Sequence, residues 1–127
     1  MPQPLSQSIG LIDKHLPEII HRESDNSHHI YLYKAGTWWM AFEQSAFRLC
    51  RTGLRPQLLP LRTRGGHRSP VVMACLPEDD LGLIVRRLGT SQHRTVHTRV
   101  YEVEGETSPA LYRHWHDLHT RELVACD

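Results

Sequence analysis

Four groups of residues in this sequence carry side chains that could do chemistry. "HWHDLH" brings His114, His116 and His119 together. On a helix His116 and His119 stand at i and i+3 and share a face, while Asp117 turns away. A zinc ion needs at least a third protein ligand, and no spacing in the chain supplies one, so these are read as surface histidines. "PEDD" offers Glu78, Asp79 and Asp80, which could hold Mg²⁺ in a nuclease. At the start of a helix the same acids simply complement the dipole. Cys50 and Cys75 fall on apolar faces and read as core residues rather than nucleophiles. "RTRGGHR" sets Arg62, Arg64, His67 and Arg68 around Gly65 and Gly66, where a bare backbone can approach a phosphate. That loop is expected to contact phosphates.

Charge points the same way. Residues 1–43 carry three basic and five acidic side chains, a net of −2. Residues 44–101 carry ten arginines against Glu78, Asp79 and Asp80, a net of +7, and residues 102–127 come to −4. Arginine outnumbers lysine 13 to two, and its planar fork suits phosphate contacts and stacking on bases. An arginine-rich middle is the footprint that nucleic-acid binding leaves.

The 127-residue length predicts one domain with one core. No apolar run approaches the roughly 18 residues of a membrane span. The opening "MPQPLSQSIG" lacks a secretory pattern. Three cysteines without CxxC spacing argue against a disulfide framework. Together these features predict a reduced, cytoplasmic protein without cofactor or metal.

The elements that position these groups follow from periodicity. "LSQSIGLIDKHLPEII" has helical spacing, with Pro17 predicting a kink or a split. "IYLYKAG" and "TWWMAF" form two strands around a tight turn at Ala35-Gly36, with Ile30 and Leu32 on one face and Tyr31 and Tyr33 on the other. "EQSAFRLCR" is helical, with Ala46, Phe47 and Cys50 inward, and is ended by Gly53 and Pro56. Two strands follow around the Arg/Gly loop, the first an edge strand because of Pro60. "PEDDLGLIVRRLG" is a helix. "HRTVHTRVYEVEG" is read as one strand, with Val96 and Val100 toward the core and His93, Thr95, His97, Arg99 and Tyr101 on the other side. "SPALYRHWHDLHTRELV" is a last helix with Ser108 as N-cap and Pro109 at its first position. The order αββαββαβα predicts an α/β (α+β) fold: a mixed sheet of about five to six strands flanked by three to four helices.

Two blocks carry a resemblance. "IYLYKAGTWWMAFEQSAFRL" resembles the start of the mismatch-recognition N-terminal domain of the DNA mismatch-repair protein MutS, with Gly36, Trp38, Trp39, Phe42 and Ala46 at the matching places. "RTRGGHRSPVVMACLPEDDLGLIVRRLGTSQHRTVHTRVYE" is similar to that family's basic loop, Pro-rich strand, helix and following strand, through Pro70, Met73, Ala74, Pro77 and Gly89. The resemblance spans roughly residues 10–104. It implies a single DNA-contacting domain over 1–127, with Trp38 at the position of an aromatic that wedges beside a base. Trp38 would then stack on nucleic acid while Trp39 packs in the core. Met40 stands where the family has a base-reading glutamate, so little preference for mispaired DNA is expected. The implied contacts are Trp38, Met40, Arg62, Arg64, His67 and Arg68, joined by Arg94 and Arg99.

No P-loop, clamp or lever accompanies this domain, so no ATPase is implied. A freestanding domain of this kind is similar to the accessory proteins encoded beside reverse transcriptases of diversity-generating retroelements. The expected function is a non-catalytic nucleic-acid-binding accessory protein, with DNA or RNA as ligand and a reverse transcriptase as protein partner. The alternatives are an adaptor that kept the fold without nucleic-acid contact, a stand-alone DNA mismatch- or structure-binding domain, and a small nuclease or His-based hydrolase.

Overall fold

In the computed structural model, residues 4–62, 70–89, 91, 93–95, 97–103 and 108–125 are described. The chain runs α1 (Pro4–Ser24), β1 (His29–Ala35), β2 (Trp38–Phe42), α2 (Gln44–Cys50), β3 (Gln57–Leu61), β4 (Val71–Pro77), a 3-10 turn (Glu78–Asp80), α3 (Leu81–Leu88), β5 (His93–Arg94), β6 (Thr98–Glu102) and α4 (Pro109–Ala125). The α+β class and the strand and helix numbers agree with the sequence reading. One detail differs. The sheet has the order β3-β4-β2-β1-β6-β5, and every neighbouring pair is antiparallel rather than mixed. Connectivity accounts for part of this: β1–β2 and β5–β6 are joined by short turns, which can only link antiparallel strands, while β3–β4, β2–β4 and β1–β6 are antiparallel across longer connections.

α1 runs through Pro17 without splitting. Ser8, Leu16, Ile19 and Glu23 form its buried stripe, whereas Pro17 lies on the exposed side. There water can take the carbonyl that loses its donor. Pro60 does mark an edge strand, as its missing N–H requires.

The last predicted strand is instead a hairpin. The Thr95 amide donates to the Thr98 carbonyl at 3.0 Å, and the two threonine hydroxyls meet at 2.8 Å. The turn also resets the phase. Tyr101 lies opposite Ile30 and is 2% exposed, while Val100 is only half-buried. Sequence alternation had placed those two residues the other way round, and Val96 lies outside the described residues.

The sheet is covered on both faces. One cluster joins Leu16 and Ile19 of α1 to Tyr33, Trp38, Met40, Phe42 and Met73. The other joins Ala46 and Leu49 of α2 and Ile84 of α3 to Ile30, Leu32, Trp39, Ala74 and Tyr101. Every residue of β2 is therefore buried.

The β1–β2 turn is tied to α1. Gly36 has φ +61°, and Gln7 Oε1 accepts from the Thr37 amide at 2.6 Å. A Cβ on Gly36 would sit 2.1 Å from Gln7 Oε1. Gly36→Ala should lower stability by about 1–2 kcal/mol, read as a reduced midpoint in chemical denaturation.

Candidate nucleic-acid interface

Of the residues carried over from the resemblance, the two in β2 do not reach an exposed surface. Trp38 is 8% exposed and Met40 is 0% exposed, both beneath α1. Trp39 is also buried. The expected division, with one indole outward and one inward, is thus replaced by two core indoles on opposite faces of a doubly covered sheet. The Nε1 of Trp38 is buried without a hydrogen-bond partner. Arg99 lies over the Trp39 ring at 4.9 Å and donates to the Thr95 and Thr98 carbonyls, so its guanidinium serves the hairpin. Arg62 is exposed just before the loop. Arg64, His67 and Arg68 lie outside the described residues, and Arg94 is placed by its backbone alone, in edge strand β5.

A different concave surface lies between α1 and the β1–β6 half of the sheet. The stripe Gln7, Leu11, Lys14, Glu18, Arg22 adjoins the buried stripe of α1 at helical spacing. Together with Tyr33, Lys34, His97 and Thr98 it lines a cleft of 460 Å³. Arg22 stands at one wall. Its guanidinium carbon is 5.3 Å from the centre of the Tyr31 ring and 5.9 Å from that of Tyr33, and Nη1 donates to the Tyr33 hydroxyl at 2.8 Å. Burial pushes the Tyr33 hydroxyl up to about 12, so it stays protonated. Beyond Arg22 a second hollow of 240 Å³ continues over Tyr31, Thr98 and Val100. Lys14 and His15 are exposed at the rim, and Lys34 is paired with Glu78 at 2.7 Å. Among the described residues Glu18 is the one carboxylate lining the cleft.

Charge by segment concealed this surface. Residues 1–43 are net acidic, yet they supply Lys14, Arg22 and Lys34 to the cleft. Two of their acids, Glu23 and Glu43, are drawn to the far side of α1. The alternation that put Tyr31 and Tyr33 on one face was the signal in the sequence. What it lacked was the helix beside them.

The far side holds a polar junction. Glu43 has φ +52°, ψ −117°, a strained conformation for a residue with a side chain. Its backbone amide donates to the Val72 carbonyl at 2.9 Å, and its Oε1 accepts from the Val72 amide at 2.8 Å. His116 Nε2 lies 2.9 Å from Oε1, and the Tyr112 hydroxyl donates to Oε2 at 3.2 Å. His116 is thus a half-buried partner of Glu43 rather than a surface histidine, held above the ordinary range by that hydrogen bond. Glu23 accepts from the Ser45 amide at 2.8 Å, the Ser45 hydroxyl at 2.6 Å and Asn26 Nδ2 at 3.0 Å. Burial outweighs these bonds and pushes Glu23 up to about 7. These mutual bonds fasten α1, α2 and α4 at one end of the sheet. Among the described residues no group of three or more His, Cys, Asp or Glu is arranged to hold a metal ion.

Comparison of the chain with protein-family models, with curated proteins and with solved structures gives no match in any of the three. No described helix is long and apolar enough to cross a membrane.

Glu23 and His116 both bind protons more tightly when folded. The stabilising protonation of Glu23 is complete below its unfolded value near 4.5 and is lost as pH rises through about 7. That of His116 is complete below 6.5 and is lost as pH rises through its raised value. Stability should therefore fall as pH rises from about 4.5 through 7, by on the order of 3 kcal/mol from Glu23, and fall further as His116 deprotonates. Urea denaturation across this range checks it, and Glu23→Gln should flatten the lower part of the slope.

Proposed function

We propose that this protein binds nucleic acid without catalysing its chemistry and serves as an accessory subunit of a nucleic-acid enzyme. The observation that carries the reading is the α1–sheet cleft, where Lys14, His15 and Arg22 line one recess with Tyr33, Arg22 lies over the Tyr31 and Tyr33 rings, and Glu18 is the one described carboxylate. Cations that track phosphate, together with aromatic faces that take bases, are the two components of sequence-tolerant nucleic-acid grooves. The two-block resemblance to the MutS mismatch-recognition domain supports the same class of ligand through different residues. The likeness to retroelement accessory proteins suggests a reverse transcriptase as partner. A small domain with few phosphate contacts binds weakly, near 10⁻⁴ to 10⁻⁶ M. Tethering to an enzyme that already holds the strand makes the second contact intramolecular.

Fluorescence anisotropy with labelled oligonucleotides at about 50 and 200 mM salt tests the reading. Lys14→Ala should weaken binding and lower the salt slope by about one, and Arg22→Ala should weaken binding. Unchanged affinity and slope in both variants would refute the assignment of the cleft.

Duplex recognition has its own expected outcome. Met40 is fully buried and cannot reach a base, so mispaired and paired duplexes should differ in affinity by less than about tenfold, or 1.4 kcal/mol. Competition between the two duplexes measures it.

A further inference from the structure

We propose that the cleft takes an unpaired nucleotide, its base stacked on the Arg22–Tyr31 pair and its phosphate on Lys14 at the rim. This rests on the nucleic-acid reading above and adds to it the class of ligand: a single strand rather than a duplex.

Depth is the first reason. Tyr33 is only 6% exposed, and Tyr31 is half-buried beside α1. Arg22 caps both rings, and bases stacked in a duplex present only their edges to the grooves and cannot lay a ring face on that guanidinium. A base free of its partner can, because every base has a π-face to offer.

The second reason is the state of Arg22. Its planar guanidinium already lies over both tyrosine rings, at 5.3 and 5.9 Å. The hydrogen bond to the Tyr33 hydroxyl fixes its orientation at 2.8 Å. Arg22 is itself exposed, so the stack has an open side. A base laid there extends an ordered stack and pays little further side-chain entropy.

Size is the third. The 460 Å³ cleft lies within the range of about 300–1,000 Å³ typical of sites that enclose one small ligand. The 240 Å³ hollow, which shares Arg22, Tyr33 and Thr98 with the cleft, gives a neighbouring nucleotide a place beside Tyr31 and Val100. Two adjoining hollows that share a stacking side chain match the stepwise path of a single strand.

Affinities for single-stranded DNA, single-stranded RNA and a blunt duplex of the same length are measured by anisotropy at fixed salt, for the full chain and for Tyr31→Leu and Arg22→Lys. Tyr31→Leu keeps apolar bulk and removes the stacking ring. Arg22→Lys keeps the charge and removes the plane. The proposal expects single strands to bind at least about tenfold more tightly than duplex. It also expects each variant to lose roughly five- to a hundredfold on single strands, as loss of one stacked base entails, with duplex binding unchanged. Circular dichroism confirms that each variant is folded, and Tyr31→Phe, which retains the ring, should bind like the parent. A preference for DNA or for RNA supports the proposal equally and identifies the strand. Equal affinity for single strands and duplex, or folded variants with parental single-strand affinity, overturns it while leaving the broader reading in place. No binding to any of the three overturns both.

Discussion

A helix with its side chains is about 10–12 Å across, and strands in a sheet lie about 4.8 Å apart. One helix can therefore cover little more than two strands. α1 is seated on β1 and β2, and its apolar stripe is consumed there by Tyr33, Trp38, Met40 and Phe42. It does not extend over β6. The unmatched width leaves a recess along the flank of α1, and the next stripe of that helix, from Gln7 to Arg22, becomes one wall of it. The same seating buries Trp38. The candidate surface and the loss of the expected one thus have a single cause.

α1 is held in that seat at both ends. At its start Gln7 receives the Thr37 amide and hydroxyl of the β1–β2 turn. At its end Glu23 receives the Ser45 amide and hydroxyl at the start of α2, and Asn26 links the same serine to the His29 carbonyl. Arg48 closes the set by donating to the carbonyls of Asn26 and His29. A buried carboxylate so satisfied is costly to disturb. It fixes the angle at which α1 leaves the sheet, and with it the opening of the recess. Glu43 does the same for α4, its reversed backbone held by the paired bonds to Val72.

Local patterns in the sequence carried the elements well. Ser108 and Pro109 start α4, with the Tyr112 amide donating to the Ser108 carbonyl at 3.1 Å. The split of Ile30 and Leu32 from Tyr31 and Tyr33 is the split between the two core clusters. Readings failed where a local pattern had two solutions. "HRTVHTRVYE" alternates as one strand or as two across a turn, and the turn exchanges the faces of Val100 and Tyr101. The candidate site was less legible than the fold, because its parts come from one helix face and a strand pairing that only tertiary structure brings together. Segment charge misled for the same reason: acids and bases adjacent in the chain lie on opposite sides of α1. The φ of Glu43 has no sequence signature at all.

The two outermost strands have a consequence beyond the site. A sheet that ends in a long strand with free amides and carbonyls is a template for any other chain with an extended segment. Here one margin is β3, where Pro60 has no amide hydrogen to offer, and the other is β5, two residues long. Neither provides an uninterrupted ladder for a second sheet to join. The antiparallel architecture, with its six strands in one layer, therefore carries its own protection against growing sideways into aggregates.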